Sequence, residues 1–222
     1  MKKWEDLPPD MQVPEVRTYY DILKRHTGSL ILKRIFDIII ASLLLIVLSP
    51  VLLVLSVLIK TDSKGPVFFR QVRVTRYGKT FRIFKFRTMV NNADKIGTQV
   101  TTKGDARVTN IGKKLRGCRL DELPQLLNIL TGDMTFVGTR PEVEKYVSHY
   151  TNEMKATLLL PAGVTSLASI EYKDEEKLLE SADDADQVYI ETILPEKMKY
   201  NLESIKKFSF IQDIKTMAAT VI

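Results

Sequence analysis

The sequence predicts an α+β chain, mostly helical, in which one apolar helix enters a lipid bilayer beside a small globular domain. Three observations carry this expectation. From Ile35 to Ile59 the only charged residue is Asp37. Two neighbouring runs, Val67 to Val74 and Thr80 to Phe86, are rich in β-branched and aromatic residues and flank Tyr77-Gly78-Lys79, the pattern of a β-hairpin. Apolar residues recur every three or four positions through much of the remainder, as in Leu120, Leu123, Leu126, Leu127 and Leu130.

At 1.5 Å per residue, a straight helix from Ile35 to Ile59 would be roughly 37 Å long, enough to cross a bilayer. It does not read as a signal peptide: it starts deep in the chain, exceeds an h-region in length and lacks a small-residue cleavage site. Ser49-Pro50 interrupts it. A proline inside a helix removes one hydrogen bond and clashes one turn back, at about 3 kcal/mol, unless a hydroxyl such as that of Ser49 satisfies the freed carbonyl. Basic residues stand at both ends: Lys24, Arg25, Lys33 and Arg34 before the segment, and Lys60, Lys64, Arg70 and Arg73 after it. Basic flanks stay on the cytoplasmic side. A hairpin re-entering the same leaflet satisfies both ends, and a kinked span oriented by the stronger downstream charge is the competing topology. Asp37, one turn after Lys33 and Arg34, is expected to pair with them near the headgroups.

The chain of 222 residues carries a net charge of +6, and the excess is concentrated. Lys60 to Arg119 holds sixteen Lys and Arg against Asp62, Asp94 and Asp105. Such a block attracts anions, either phosphate-bearing lipids and nucleotides or nucleic acid. Cys118 is the single cysteine, so no internal disulfide framework exists, and His26 and His149 lie too far apart for zinc-type spacing.

The segment before the apolar helix, residues 1–32, reads as a juxtamembrane arm with Val16, Tyr19, Tyr20 and Leu23 at helical spacing. The apolar helix itself covers 33–60, and 61–222 form the globular domain. Helices are expected over Arg107–Leu115, Leu120–Leu130 and Val143–Leu160, the last ended by Pro161-Ala162-Gly163. Asp174 to Asp186 carries seven acids and reads as a solvated helix face and linker. Val188 to Ile222 gives two amphipathic helical patterns separated near Phe208, suited to packing on the core or to lying at a membrane surface.

Asp121 and Glu122 are adjacent carboxylates at a predicted helix start, inside the most basic part of the chain. The plain structural reading makes Asp121 an N-cap, ionised by the helix end. The chemical reading is that this anionic pair holds magnesium through oxygen ligands while surrounding cations bind phosphates, the combination phosphoryl transfer requires.

These residues resemble the bacterial sugar transferases, the monotopic phosphoglycosyl transferases. The resemblance runs from about Lys33 onward. It rests on Lys33-Arg34-Ile35-Phe36-Asp37, Ser49-Pro50, Gly65-Pro66-Val67-Phe68-Phe69-Arg70-Gln71 and Phe84-Lys85-Phe86-Arg87-Thr88-Met89. Farther on it rests on Leu120-Asp121-Glu122-Leu123-Pro124-Gln125-Leu126, Gly132-Asp133-Met134 and Val137-Gly138-Thr139-Arg140-Pro141. It implies a re-entrant helix broken at Ser49-Pro50, on the cytoplasmic face of a bacterial inner membrane. It also implies transfer of a sugar-1-phosphate from a UDP-sugar to polyprenyl phosphate, with release of UMP. Asp121 then falls on the family nucleophile, which forms an aspartyl-phosphosugar intermediate in a ping-pong sequence. Glu122 is its partner toward Mg2+, and Arg116, Arg140, Lys85 and Arg87 fall to phosphate binding. No nucleic-acid partner is implied; a homodimer through the C-terminal helices stays open. Two departures stand out: the family's Pro-Arg-Pro reads Thr139-Arg140-Pro141, and a Pro-Gly-Ile-Thr-Gly type signature reads Pro161-Ala162-Gly163-Val164-Thr165-Ser166. A non-catalytic, membrane-tethered protein that binds anionic lipid or nucleic acid is the competing reading of the basic block.

Overall fold

Pro14 fits the first position of a helix, where its missing N–H costs nothing, and Val16, Tyr19, Tyr20 and Leu23 follow at one-turn intervals. The computed structural model, which describes residues 1–93, 105–172 and 184–221, forms this helix as α1 (Pro14–Arg25) and buries all four side chains. They pack with Leu159, Leu202, Ile205 and Phe208 from much later in the chain, so the N-terminal segment is built into the globular part.

The apolar segment lies within α2 (Thr27–Asp62), a continuous helix with Pro50 inside it. Helical backbone continues on both sides of Pro50, so a change of direction there takes the form of a bend within one helix. Pro50 cannot bond the Ile46 carbonyl, and Ser49 Oγ donates to that oxygen at 2.8 Å. One such bond returns about 1 kcal/mol of the roughly 3 kcal/mol that proline costs, so packing must supply the rest. Both halves do pack: Ala41 is buried with Phe81, Leu126, Ile129 and Met134, while Leu55 and Ile59 are buried with Phe86 and Leu115. The opposite face, including Ile39, Ile46, Val47 and Leu53, is open to the surroundings.

The basic residues at the start of α2 do not pair with Asp37 as expected. Lys33 Nζ donates to Asp213 at 2.6 Å and to the Val137 carbonyl at 2.8 Å, whereas Arg34 donates to the Ile129 and Leu130 carbonyls. Asp37 accepts instead from Thr135 Oγ1 at 2.6 Å and from the Phe136 N–H. The globular part offers buried donors and acceptors at fixed positions, and these win over the flexible neighbour one turn away.

After α2 the expected hairpin forms from β1 (Phe68–Val74) and β2 (Thr80–Phe86), antiparallel, with Phe69 opposite Lys85 and Val74 opposite Thr80. The next helix, α3 (Asn110–Gly117), starts three residues later than expected because Thr109 caps it, its side chain accepting from Gly112 N. The expected single helix over Leu120–Leu130 is divided. Arg119 adopts a left-handed backbone (φ 53°), Leu120–Glu122 form a 3-10 turn, and α4 covers Gln125–Thr131. Pro124 explains the division: it cannot bond the Leu120 carbonyl, which the Leu123 N–H takes in a tighter turn.

A parallel pair, β3 (Met134–Val137) with β4 (Ala162–Thr165), lies where the sequence suggests only turns. Between them the expected helix over Val143–Leu160 reduces to α5 (Glu144–Val147) and a 3-10 stretch, Met154–Leu159. Ser148 Oγ bonds the Lys145 carbonyl and Thr151 Oγ1 accepts from Met154 N, so side chains take over backbone partners there. Farther on lie α6 (Leu167–Glu171) and α7 (Ala185–Val188), which continues through a π turn (Tyr189–Ile193) into α8 (Leu194–Lys206). The last helix is α9 (Phe210–Val221), so the break near Phe208 falls where the sequence puts it. Most of the acidic stretch Asp174–Asp186 lies outside the described residues. Of its end, Asp184 caps Gln187 and Asp186 bonds Tyr146.

Gly163 is fixed by the approach of β3 and β4. A Cβ there would lie 2.1 Å from the Gly138 oxygen, which is backbone and cannot swing aside. Gly163→Ala is therefore expected to destabilise the fold by about 3 kcal/mol, read as a melting temperature lower by roughly 5–10 °C in a thermal scan.

Candidate active site

Three pieces of chain converge on one carboxylate. Glu122 sits in the 3-10 turn, Lys85 on the inward face of β2, and Arg140 in the loop after β3. Lys85 Nζ lies 2.8 Å from Glu122 Oε1, and Arg140 Nη2 lies 2.7 Å from the same oxygen. Burial alone would raise the Glu122 pKa, but the two cations outweigh it and hold the carboxyl well below the usual carboxylate range. Burial also pushes the Lys85 ammonium down, with Arg140 adding to that and Glu122 opposing it.

Asp121, the preceding residue, is in a different state. It is 9% exposed and takes no hydrogen bond from another side chain among the described residues. It does not act as the N-cap the sequence suggests; the turn is entered through Arg119, and no side chain caps it. Burial raises its pKa above the ordinary value, and the Glu122 charge adds to this, while Lys85 and Arg116 pull it down. Arg116 is held on the same side by a 2.9 Å bond from its Nε to Thr88 Oγ1.

Arg87 is placed apart from this cluster. Its guanidinium bonds the carbonyls of Ile59, Ser63 and Lys64, closing the C-terminal end of α2. Gly65, with φ 135°, lets the chain pass close over it. These carbonyls hold the Arg87 guanidinium, and no bond joins it to the carboxylate pair among the described residues. Ser49 and Pro50 are exposed in the middle of α2.

Two polar residues escaped the sequence reading. Asn128 is buried, accepts from Phe84 N at 2.8 Å and donates to the Arg82 carbonyl at 3.1 Å, so its amide clamps the edge of β2 next to Lys85. Gln125, between Asp121 and Asn128 on the same helical face, is also buried, and its Nε2 has no partner among the described residues. The signal was available: polar residues at 121, 125 and 128 follow one face of an otherwise leucine-rich segment.

The pair offers hard oxygen ligands suited to Mg2+. Among the described residues no other side chain donates to Asp121, and Glu122 accepts both cations through Oε1. Magnesium is commonly bound by one or two carboxylates with substrate phosphates and waters completing its shell. Among the described residues no group of three or more His, Cys, Asp or Glu gathers anywhere, so the protein would offer a metal here two carboxylates at most.

The model of the family described as "Bacterial sugar transferase" matches residues 28–222. The chain belongs to this family. Within it, the chain is 39% identical over 199 residues to a UDP-glucose:undecaprenyl-phosphate glucose-1-phosphate transferase of Klebsiella pneumoniae, covering 87% of this chain and 40% of that protein. It is 36% identical over 193 residues to a UDP-N-acetylgalactosamine-undecaprenyl-phosphate N-acetylgalactosaminephosphotransferase of Aeromonas hydrophila, covering 86% and 43%. An exopolysaccharide production protein of Sinorhizobium fredii is 38% identical over 158 residues, covering 64% and 70%. The chain thus spans about two fifths of the first two relatives' length.

The state of Asp121 makes a stability prediction. A carboxyl whose folded pKa is raised binds its proton more tightly folded than unfolded, so its ionisation destabilises the fold as pH rises through that interval. Asp121→Asn is expected to raise the melting temperature at pH 7 by about 2–4 °C, with the gain vanishing below the unfolded carboxyl pKa near 3.8. Thermal scans of both proteins from pH 3 to 8 check this.

Proposed function

We propose that the chain transfers a sugar-1-phosphate from a UDP-sugar to a polyprenyl phosphate such as undecaprenyl phosphate. The observation that carries this reading is the unequal treatment of two adjacent carboxylates, Glu122 paired with two cations through one oxygen and Asp121 beside it with no side-chain donor among the described residues. An Asp121 oxygen attacks the phosphorus that bears the sugar. The bond from that phosphorus to the bridging oxygen breaks, and UMP leaves with the electron pair. An oxygen of the polyprenyl phosphate then attacks the aspartyl-phosphosugar, expelling the Asp121 carboxylate and yielding the polyprenyl diphosphosugar. Lys85, Arg116 and Arg140 supply positive charge where the transferring phosphoryl oxygens would lie. Mg2+, held by Asp121 and Glu122 together with substrate phosphates, would neutralise diphosphate charge. The names of the relatives support the donor and acceptor classes.

The same reading puts the globular part on the cytoplasmic face of the inner membrane, with α2 dipping in and returning. Both ends of α2 are fastened to the same body: Lys33 and Arg34 to β3 and α4 at one end, and Arg87 and Asp62 at the other, where Asp62 accepts from Ile111 N. A span would carry one of these ends across about 30 Å of hydrocarbon, away from its partners.

Two experiments test the proposal. In detergent or nanodiscs with undecaprenyl phosphate and magnesium, UMP release from at least one UDP-sugar is expected, with at least a thousandfold loss in Asp121→Asn and loss on chelation by EDTA. With donor alone, rapid quench and intact mass should show one phosphosugar adduct on wild type and none on Asp121→Asn; full turnover by the variant would overturn the mechanism. For topology, single cysteines placed near residue 5 and residue 215 in a Cys118→Ser background should both react with an impermeant thiol reagent only in inside-out vesicles. Labelling of the two ends from opposite sides would exclude the returning helix.

A further inference from the structure

Arg140 stands in a loop whose backbone is pinned on either side of it. Before it, Gly138 N donates to the Thr165 carbonyl at 2.9 Å and Gly163 N donates to the Thr139 carbonyl at 2.8 Å. After it, Arg73 Nη1 donates to the Pro141 carbonyl at 3.1 Å and Val74 N donates to the Glu142 carbonyl at 2.9 Å. The Glu142 side chain is buried and takes no part in the carboxylate pair. It accepts from Tyr189 Oη at 2.5 Å and lies 4.0 Å from Arg73, and Lys197 Nζ approaches the same Tyr189 oxygen at 3.4 Å. Tyr189 opens the π turn, an irregularity frequent at functional sites and costly to retain elsewhere.

We infer that Tyr189 and Glu142 are positioning residues that act through Arg140. The Tyr189 hydroxyl fixes the Glu142 carboxylate, which with Arg73 sets the loop from which Arg140 reaches Glu122. A buried glutamate two residues from a site cation, tied to a π turn more than forty residues downstream, holds that loop by a fixed acceptor. The device rests on the phosphotransfer reading of the site, because its product is the placement of a phosphate-facing guanidinium.

Tyr189→Phe removes one O–H and keeps the ring. Tyr19→Phe is the matched control: Tyr19 Oη donates to Glu153 at 2.5 Å in the α1 core, remote from the carboxylate pair. Initial rates of UMP release are measured for wild type, Tyr189→Phe, Tyr19→Phe, Arg140→Lys and Tyr189→Phe/Arg140→Lys, with melting temperatures for each. Tyr189→Phe is expected to lower kcat/KM about tenfold, Tyr19→Phe less than twofold, and the double variant no further than Arg140→Lys alone. Where Arg140→Lys turns over too slowly to follow, the same comparison is made on UDP affinity by calorimetry. An unchanged kcat/KM in Tyr189→Phe, equal losses in both tyrosine variants, or independent multiplication with Arg140→Lys would each overturn the inference. A wild type that releases no UMP from any UDP-sugar would instead sink the proposed function.

Discussion

The site is organised around one oxygen. Glu122 Oε1 is held by Lys85 and Arg140 together, and each comes from a different part of the chain. The 3-10 turn, the inner face of β2 and the loop after β3 can reach it at once only if the hairpin lies against α4 and the β3–β4 pair lies behind the loop. Desolvating a carboxylate costs several kcal/mol, so an unpaired Glu122 would not remain charged at this depth. Two cations, each 21% or 34% exposed and still able to face a ligand, make the buried charge tolerable.

That pairing defines its neighbour by contrast. Adjacent carboxylates in one environment would titrate alike; here burial raises Asp121, whereas Lys85 and Arg140 depress Glu122. When two titratable groups are driven apart in this way, their chemical roles separate as well. A carboxylate already saturated by cations is a poor attacking group. Asp121 differs on both counts: burial raises its pKa, with Lys85 and Arg116 opposing the rise, and no other side chain among the described residues donates to it. The 3-10 geometry forced by Pro124 contributes directly, since a regular helix start would have given Asp121 free N–H groups to accept from and a lower pKa.

Local patterns in the sequence were legible where a single element decides the outcome. Alternation around Tyr77-Gly78 specifies the hairpin, the spacing of Val16, Tyr19, Tyr20 and Leu23 specifies α1, and the interruption at Phe208 separates the last two helices. Asp121-Glu122 stands out as a carboxylate pair in the basic block, and Lys85, Arg116 and Arg140 are named from motif resemblance; that folding brings them together is something periodicity could not have shown. What stayed hidden depends on partners distant in the chain. β3 and β4 are four residues each and pair across Gly138 and Gly163, too short for a pattern. Asp37 bonds Thr135 in place of Lys33, and Arg87 bonds the carbonyls that end α2, because each meets fixed backbone or hydroxyl groups that no local reading contains.

The long apolar helix α2 is also part of the site's scaffold. Arg87 closes the end of α2 and is two residues from Lys85 on β2; Asp62 accepts from Ile111 N at the start of α3, the helix that carries Arg116. At the other end, Arg34 meets the last carbonyls of α4, which begins just after the carboxylate pair. Any tilt of α2 relative to the body would therefore strain Lys85, Arg116 and the α4 segment together. The exposed apolar face of α2 and the carboxylate pair are thus held at one fixed separation by these bonds, and whatever seats that face also sets the position of the pair.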